Sequence, residues 1–532
     1  MKVVSGETMQ AMDRRTIEEF GISGLTLMEN AGRAAADVIV AEFGSTSGLQ
    51  VVVVAGKGNN GGDGYVIARL LREKGWQVTT FVIAADEEVC GDARVNLELI
   101  RNGSLRFCPE VGGLDCYRSV FDDADVIVDA LLGTGLKSEV RGSLADAVAV
   151  INAAGKQVVS VDIPSGIDAG TGKILGSAVK ADITVSFAAA KLGQVLFPGC
   201  EQSGRLFVID IGIPEEVLID ADFHEFLDLE AIRPLVRKRD RSAHKGEFGH
   251  CLIVAGSTGK TGAAAMAANS AVRTGAGLVT LAVPQALNHI LEIKTTEAMT
   301  LQLPDEGTGC LSARAKVVIE KALVGKNALA LGPGISWSPE TARLVRELTA
   351  ETLMPMVVDA DGLNALSEDT SFLLRKKSPA VILTPHPGEM ARLTGLTVGE
   401  VECDRIGTAR SFAAQYGVYI VLKGARTVVA APDGRIAING SGNPGMASGG
   451  MGDVLTGVLV ALLCQGYDAF TACKVGVFLH GYAADLVAAE KGEIGMSAID
   501  LQERLPYALK ELIASGGSVN TFTHCCERRS SC

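Results

Sequence analysis

The sequence predicts two α/β domains in one chain, each a largely parallel sheet with helices on both faces. Three observations carry this. Short, mostly apolar runs recur at residues 51–55, 78–84, 125–129, 158–162, 183–187 and 206–209, and again from 251–255 onward. They are too apolar for half-exposed strands, and helical patterns separate most of them, the alternation expected of a parallel sheet. The length, 532 residues, exceeds one typical domain and suffices for two cores. Finally, the 62 glycines cluster just after apolar runs, where such folds place ligand-contacting turns.

Composition narrows the class. Hydrophobic residues at 47% and charged residues at 21% describe a globular chain. A net charge of −13 argues against nucleic acid as a partner. The N-terminus lacks the charged-then-apolar pattern of a secretory signal. No uninterrupted apolar segment reaches the ~20 residues that span a bilayer, so a soluble, cytoplasmic protein without a membrane partner is expected. The 12 cysteines contain no C-x-x-C pair, which suggests reduced thiols.

In the first half, residues 7–40 carry apolar positions at helical spacing. The strand at 51–55 then runs into G-K-G-N-N-G-G-D-G (56–64). Gly56, Gly58 and Gly61 satisfy the dinucleotide pattern G-x-G-x-x-G, a weak signal alone. That pattern normally passes straight into a packed helix, whereas here polar Asn and Asp residues follow and look like ligands. The strand at 125–129 continues as D-A-L-L-G-T-G-L (129–136), and that at 158–162 as D-I-P-S-G-I-D (162–168). In a parallel sheet these loops leave one edge, which gathers Asn59, Asn60, Asp63, Asp129, Asp162 and Ser165 on one rim. Oxygen donors from Asn60, Asp129 and Ser165 suit a hard cation. The plainer alternative is that the acids cap helices and the glycines make turns.

The three loops resemble those of the NAD(P)H-hydrate epimerase domain, a Rossmann-like three-layer α/β sandwich, over about residues 1–214. The resemblance implies substrate binding by Asn59, Asn60, Gly61, Gly62 and Asp63. It adds Gly133, Thr134, Gly135, Leu136, Lys137, Ser138 and Glu139, and also Asp162. It also implies a potassium ion held by Asn60, Asp129 and Ser165. By position and charge, at the end of a buried strand, Asp162 is the acid/base candidate.

A charged connector, which can also pack as a short helix, follows, and the boundary is placed near residue 220, giving domains 1–220 and 221–514. Residues 244–264 give a loop, a strand at 251–255 and a glycine turn into a small-residue helix. This is no Walker P-loop, because Val254 stands where the first glycine is required. Later strands end in L-G-P-G (331–334), V-D-A-D-G-L-N (358–364), L-T-P-H-P-G-E-M (383–390) and L-K-G-A-R-T (422–427). The same rim logic gathers Gly334, Asp361, His386, Glu389, Lys423, Thr427 and Asp453, with His386 fixed between two prolines. Then S-G-G-M-G-D-V-L-T-G (448–457) opens an apolar helix. Free amides at a helix N-terminus form an anion site, and Asp453 stands beside it as a base. The bland alternative is a glycine loop with an N-cap aspartate.

These loops resemble the ADP/ATP-dependent NAD(P)H-hydrate dehydratase domain, of ribokinase-like fold, over about residues 227–512. The resemblance implies an adenine nucleotide on Lys423, Gly424, Ala425, Arg426, Thr427 and Gly452. Hydrated nicotinamide falls to Ala263, Gly334, His386 and Asp453. The expected chemistry is phosphoryl transfer from ADP to the ring hydroxyl, with Mg2+ on the nucleotide, Asp453 as base and phosphate then leaving. ADP is favoured because the fused arrangement resembles bacterial members. Hydrated NADH or NADPH and ADP are the expected partners, with self-assembly into a homo-oligomer. The main alternative is a ribokinase-like small-molecule kinase fused to a nucleotide-binding domain; an NAD-dependent dehydrogenase and a non-catalytic dinucleotide sensor are further rivals. The polar tail, 515–532, is expected to be disordered, and its His and Cys residues fit no metal-site spacing.

Overall fold

The computed structural model describes residues 1–44, 48–220, 222–514 and 526–528. The chain divides into two compact units, one spanning 2–223 and the other comprising Met1 with 224–514.

In the first unit the strands run in the order Ser104–Phe107, Gln77–Val82, Gln50–Ala55, Val126–Ala130, Gln157–Val161, Ile183–Phe187 and Arg205–Ile209. All neighbours pair parallel. The sequence order reverses between Gln50–Ala55 and Val126–Ala130, so loops from these strands diverge there and leave a crevice at their carboxyl ends. Both central strands are buried over nearly their whole length, which explains their lack of polar alternation.

The structure corrects two details. The helix expected over 7–40 is two, Gly6–Glu18 and Gly24–Phe43. Gly21 takes a φ of +71° between them, and Ser23 caps the second by accepting from the Thr26 amide. The glycine loop after residue 55 passes straight into a packed helix, Asn59–Glu73, contrary to expectation. Gly61 makes this possible, since a Cβ there would lie 2.0 Å from the Gly56 carbonyl oxygen. The connector also folds, into a helix at Glu215–Asp220, a strand at His224–Leu227 and a helix at Leu229–Ile232. The tail expected to be disordered lies mostly outside the described residues, except Cys526–Arg528, which pairs parallel to Arg205–Ile209.

The second unit's strands run Met299–Leu303, Leu278–Pro284, His250–Val254, Ala328–Leu331, Met356–Val358, Val381–Leu383 and Tyr419–Leu422. These are parallel, and Val428–Ala430 and Ile436–Asn439 extend them antiparallel. Here the order reverses between His250–Val254 and Ala328–Leu331. One face is covered by Thr261–Thr274, Met451–Cys464, Ala469–Lys491 and Ala498–Ile513, which share one core. Small residues allow the closest crossing: a Cβ on Gly457 would lie 2.2 Å from the Ala267 carbonyl oxygen. Ala469–Lys491 is long and apolar enough to cross a membrane by composition, but 72% of its apolar window is buried inside the protein, as befits a core helix.

Candidate functional site

At the crevice of the first unit lies a cavity of about 830 Å3. Its wall includes Asn59, Asn60 and Asp63 from the helix start, Gly133 through Ser138 from the next loop, and Asp162. Gly58 caps the helix without a side-chain bond, so the first turn, which borders the cavity, has no capping side chain on its amides, an arrangement that suits an anion. Glu139, expected with its neighbours, is exposed, pairs with Arg141 and is absent from the wall. The chain has by then turned away, because the Val140 amide donates to the Leu175 carbonyl.

Two wall residues, Asp13 and Lys191, were not singled out in the sequence. Lys191 is fully buried and ion-paired with Asp162. Its Nζ also donates to Ser186 Oγ and the Phe187 carbonyl, each at 3.0 Å. Asp162 itself sits at φ +66°, rare for a residue with a Cβ. Its carbonyl accepts from Gln194 Nε2 at 2.6 Å. Burial pushes Asp13 up to about 6, with Lys191 opposing and Asp162 assisting. Burial also raises Asp63 well above the carboxylate range, reinforced by Asp162 and Asp13. One lysine therefore faces three carboxyls, of which Asp63 is the one most disposed to hold a proton.

Asp129 lies beneath the wall, fully buried. It accepts from Ser165 Oγ at 2.6 Å, Ser160 Oγ at 2.7 Å and the Ser165 amide at 2.9 Å. Burial still raises its pKa despite these bonds. Asn60 is buried, and neither its amide oxygen nor its nitrogen has a hydrogen-bond partner.

The second unit gathers its groups on the carboxyl edge of its own sheet. Gly450, at φ +92°, starts the helix Met451–Cys464, putting Asp453 in a first turn whose amides lack intrahelical partners. Burial, with repulsion from Asp359 and Asp361, pushes Asp453 up to about 7, opposed by Lys423. Asp359, which follows the strand Met356–Val358, accepts from Lys423 Nζ at 2.8 Å and Thr456 Oγ1 at 2.7 Å. Burial pulls Asp359 upward, but Lys423 and the threonine hydroxyls hold it below its usual value. Gly452 lies against this cluster, since a Cβ there would be 3.5 Å from Lys423 Nζ.

Around it, His386 caps the helix Pro387–Thr394, its Nδ1 accepting from the Gly388 and Glu389 amides at 3.0 and 3.3 Å. Glu389 returns a bond from the His386 amide at 2.8 Å and stands 3.8 Å from Lys423. A Cβ on Gly334 would lie 3.0 Å from both Ala263 and Lys260, so these belong together, with Lys260 Nζ bonded to Asp361 at 2.9 Å. Arg405 donates to the Leu422, Lys423 and Ala425 carbonyls and so carries the loop that contains Gly424, Arg426 and Thr427. Asp359, Thr456 and Arg405 were not singled out in the sequence.

Each unit has its counterpart among known proteins. A family model described as YjeF-related protein N-terminus matches residues 24–193, and one described as NAD(P)H-hydrate dehydratase matches 251–507. Over 96% of this chain and 97% of its own length, the bifunctional NAD(P)H-hydrate repair enzyme Nnr of Moorella thermoacetica is 43% identical. The chain belongs to this bifunctional NAD(P)H-hydrate repair family. The Nnr of Thermofilum pendens is 38% identical, over 96% of this chain and 97% of that protein. Among solved structures, an ADP/ATP-dependent NAD(P)H-hydrate dehydratase from Bacillus subtilis, co-crystallized with ATP and Mg2+, is 32% identical. It covers 54% of this chain and 99% of its own, with a TM-score of 0.47. That both Nnr relatives match over nearly the full length argues against the alternative of a small-molecule kinase fused to a nucleotide-binding domain.

Proposed function

We propose that the first unit interconverts the epimers of hydrated NADH or NADPH and that the second dehydrates one epimer at the expense of ADP. The observation that carries this reading is Asp453: a base near neutrality, in the amide-rich first turn of a helix, beside the half-buried Lys423. A base of that strength accepts a hydroxyl proton at physiological pH. The helix amides and Lys423 stabilise the phosphoryl group as it leaves ADP. The hydroxyl becomes a phosphate ester and AMP departs; the C–O bond to phosphate then breaks, the adjacent ring carbon gives up a proton to solvent, and the ring double bond returns. Lys423, Gly424, Ala425, Arg426, Thr427 and Gly452 hold the nucleotide, and Ala263, Gly334 and His386 hold the ring. Among the described residues no group of three or more His, Cys, Asp or Glu side chains is placed to bind a metal. Mg2+ is therefore expected to arrive on the nucleotide phosphates.

In the first unit, Asp162 exchanges a proton with the ring hydroxyl, and its ion pair with Lys191 holds it in place. Asn59, Gly61, Gly62 and the loop from Gly133 to Ser138 hold the dinucleotide. Asn60, Asp129 and Ser165 fit a potassium ion, because the buried Asn60 amide oxygen lacks a partner and Asp129 is a buried carboxylate. When bound, that cation supplies the positive charge that keeps Asp129 ionised.

The test is recovery of reduced-nicotinamide absorbance from a mixed-epimer hydrate, with ADP, with ATP, and with neither. Complete recovery, faster than with the second unit's chemistry alone, is expected with ADP. Recovery that stalls near half would remove the epimerase assignment, and none with either nucleotide would restore the kinase alternative.

A further inference from the structure

We infer that Asp359 is a positioning residue of the second site, a buried tether that fixes the nucleotide-loop lysine against the helix carrying the base. This rests on the dehydratase reading above.

The tether joins three segments far apart in sequence. Asp359 follows the strand Met356–Val358 and is 1% exposed. One oxygen takes Lys423 Nζ at 2.8 Å, from the loop after Tyr419–Leu422. The other takes Thr456 Oγ1 at 2.7 Å. Thr456 lies three residues beyond Asp453, on the same side of the helix. Both carboxylate oxygens are thus committed, one to each element. A buried carboxylate bound this way has little freedom, so it sets the distance between lysine and base.

Asp359 also acts on the base through space. The charged groups that bear on Asp453 are Asp359, Lys423 and Asp361. Lys423 in turn feels Asp359, Glu389 and Asp453, while Lys260 is bonded to Asp361. The buried His480, which bonds the Met451 carbonyl at 2.9 Å, is held neutral by burial, its pKa lowered to about 4. After burial itself, the Asp359 charge does most to raise the basicity of Asp453. Removing that negative charge lets Asp453 ionise at lower pH.

Asp359→Asn in the full chain keeps the shape and removes the charge. Two readouts follow: ADP binding by titration calorimetry, and the pH profile of kcat with hydrate and ADP. ADP binding should weaken about tenfold or more, the scale of a lost charge-assisted hydrogen bond. The acid limb of kcat should move to lower pH by at least half a unit. Thr456→Val cuts one arm with no change of charge and should lower kcat with the acid limb in place. Thr456→Ser should restore the rate.

Unchanged ADP affinity in Asp359→Asn, or lost kcat with an unmoved acid limb, would overturn the inference. If Asp359→Asn does not fold, a Thr456→Val chain with parental kcat would overturn it equally. If the parent binds ADP but turns over no hydrate, the reaction reading fails, while the calorimetric comparison still decides the tether.

Discussion

Replacing Asp453 with Asn should inactivate the dehydratase and stabilise the unit that contains it. The loss of activity follows from removing the general base, worth about 10²–10⁴ in kcat. The gain in stability follows from burial. Asp453 moves from 3.8 to about 7 on folding, so the folded state resists its ionisation. Below 3.8 the group is protonated in both states and costs nothing. As pH rises, the unfolded chain ionises first, and the cost grows until the folded group ionises near 7, then levels off. At 1.36 kcal/mol per pKa unit, the ceiling is about 4 kcal/mol at pH 8 and about 2 kcal/mol at pH 5. For a unit of this size, about 4 kcal/mol corresponds to roughly 6 °C in Tm. Calorimetric scans of parent and variant at pH 8 and pH 5, without nucleotide, measure it. The Tm difference should shrink by more than half at the lower pH. A difference that does not vary with pH, or a variant that still dehydrates at the parental rate, would refute the assignment of Asp453 as a strained, near-neutral base.

Three further outcomes concern the first unit. Lys191→Met should abolish epimerisation and lower that unit's Tm, since breaking a buried ion pair costs about 3–5 kcal/mol; dehydration of the pure reactive epimer should persist, as a stopped assay on that epimer would show. Asn60→Ala should remove the stimulation of epimerisation by KCl, measured against choline chloride, and a retained potassium response would dismiss Asn60 as a ligand. Gly61→Ala should destabilise the unit by about 2 kcal/mol or more, because its Cβ meets the Gly56 carbonyl oxygen at 2.0 Å; denaturant unfolding reads this directly.

Much of both sites was legible because strand ends and glycine loops are local features. Asn60, Asp129 and Asp162 each lie within or just beyond an apolar run, and Asp453 follows a glycine pair at a helix start. The helix over 7–40 was misjudged because its apolar spacing continues across the break, which Gly21 and Ser23 impose through backbone conformation and capping. The passage of the glycine loop into the helix at Asn59 was missed for a different reason. Polar residues there suggested a loop, but the first turn of a helix facing a cavity tolerates them.

By itself, then, the sequence determined the two parallel-sheet units, the edge of each sheet that carries the chemistry, and the loops that supply it. Periodicity and glycine placement are short-range properties, readable within a dozen residues. Only the tertiary structure decided how those groups are charged and held. Asp13 reaches the cavity from an N-terminal helix, Lys191 joins Asp162 from 29 residues away, and Asp359 meets Lys423 and Thr456 across 64 and 97 residues. None of these partners has a local signature. A lone aspartate, lysine or threonine looks alike in sequence whether solvated or buried, and burial beside another charge sets its proton affinity.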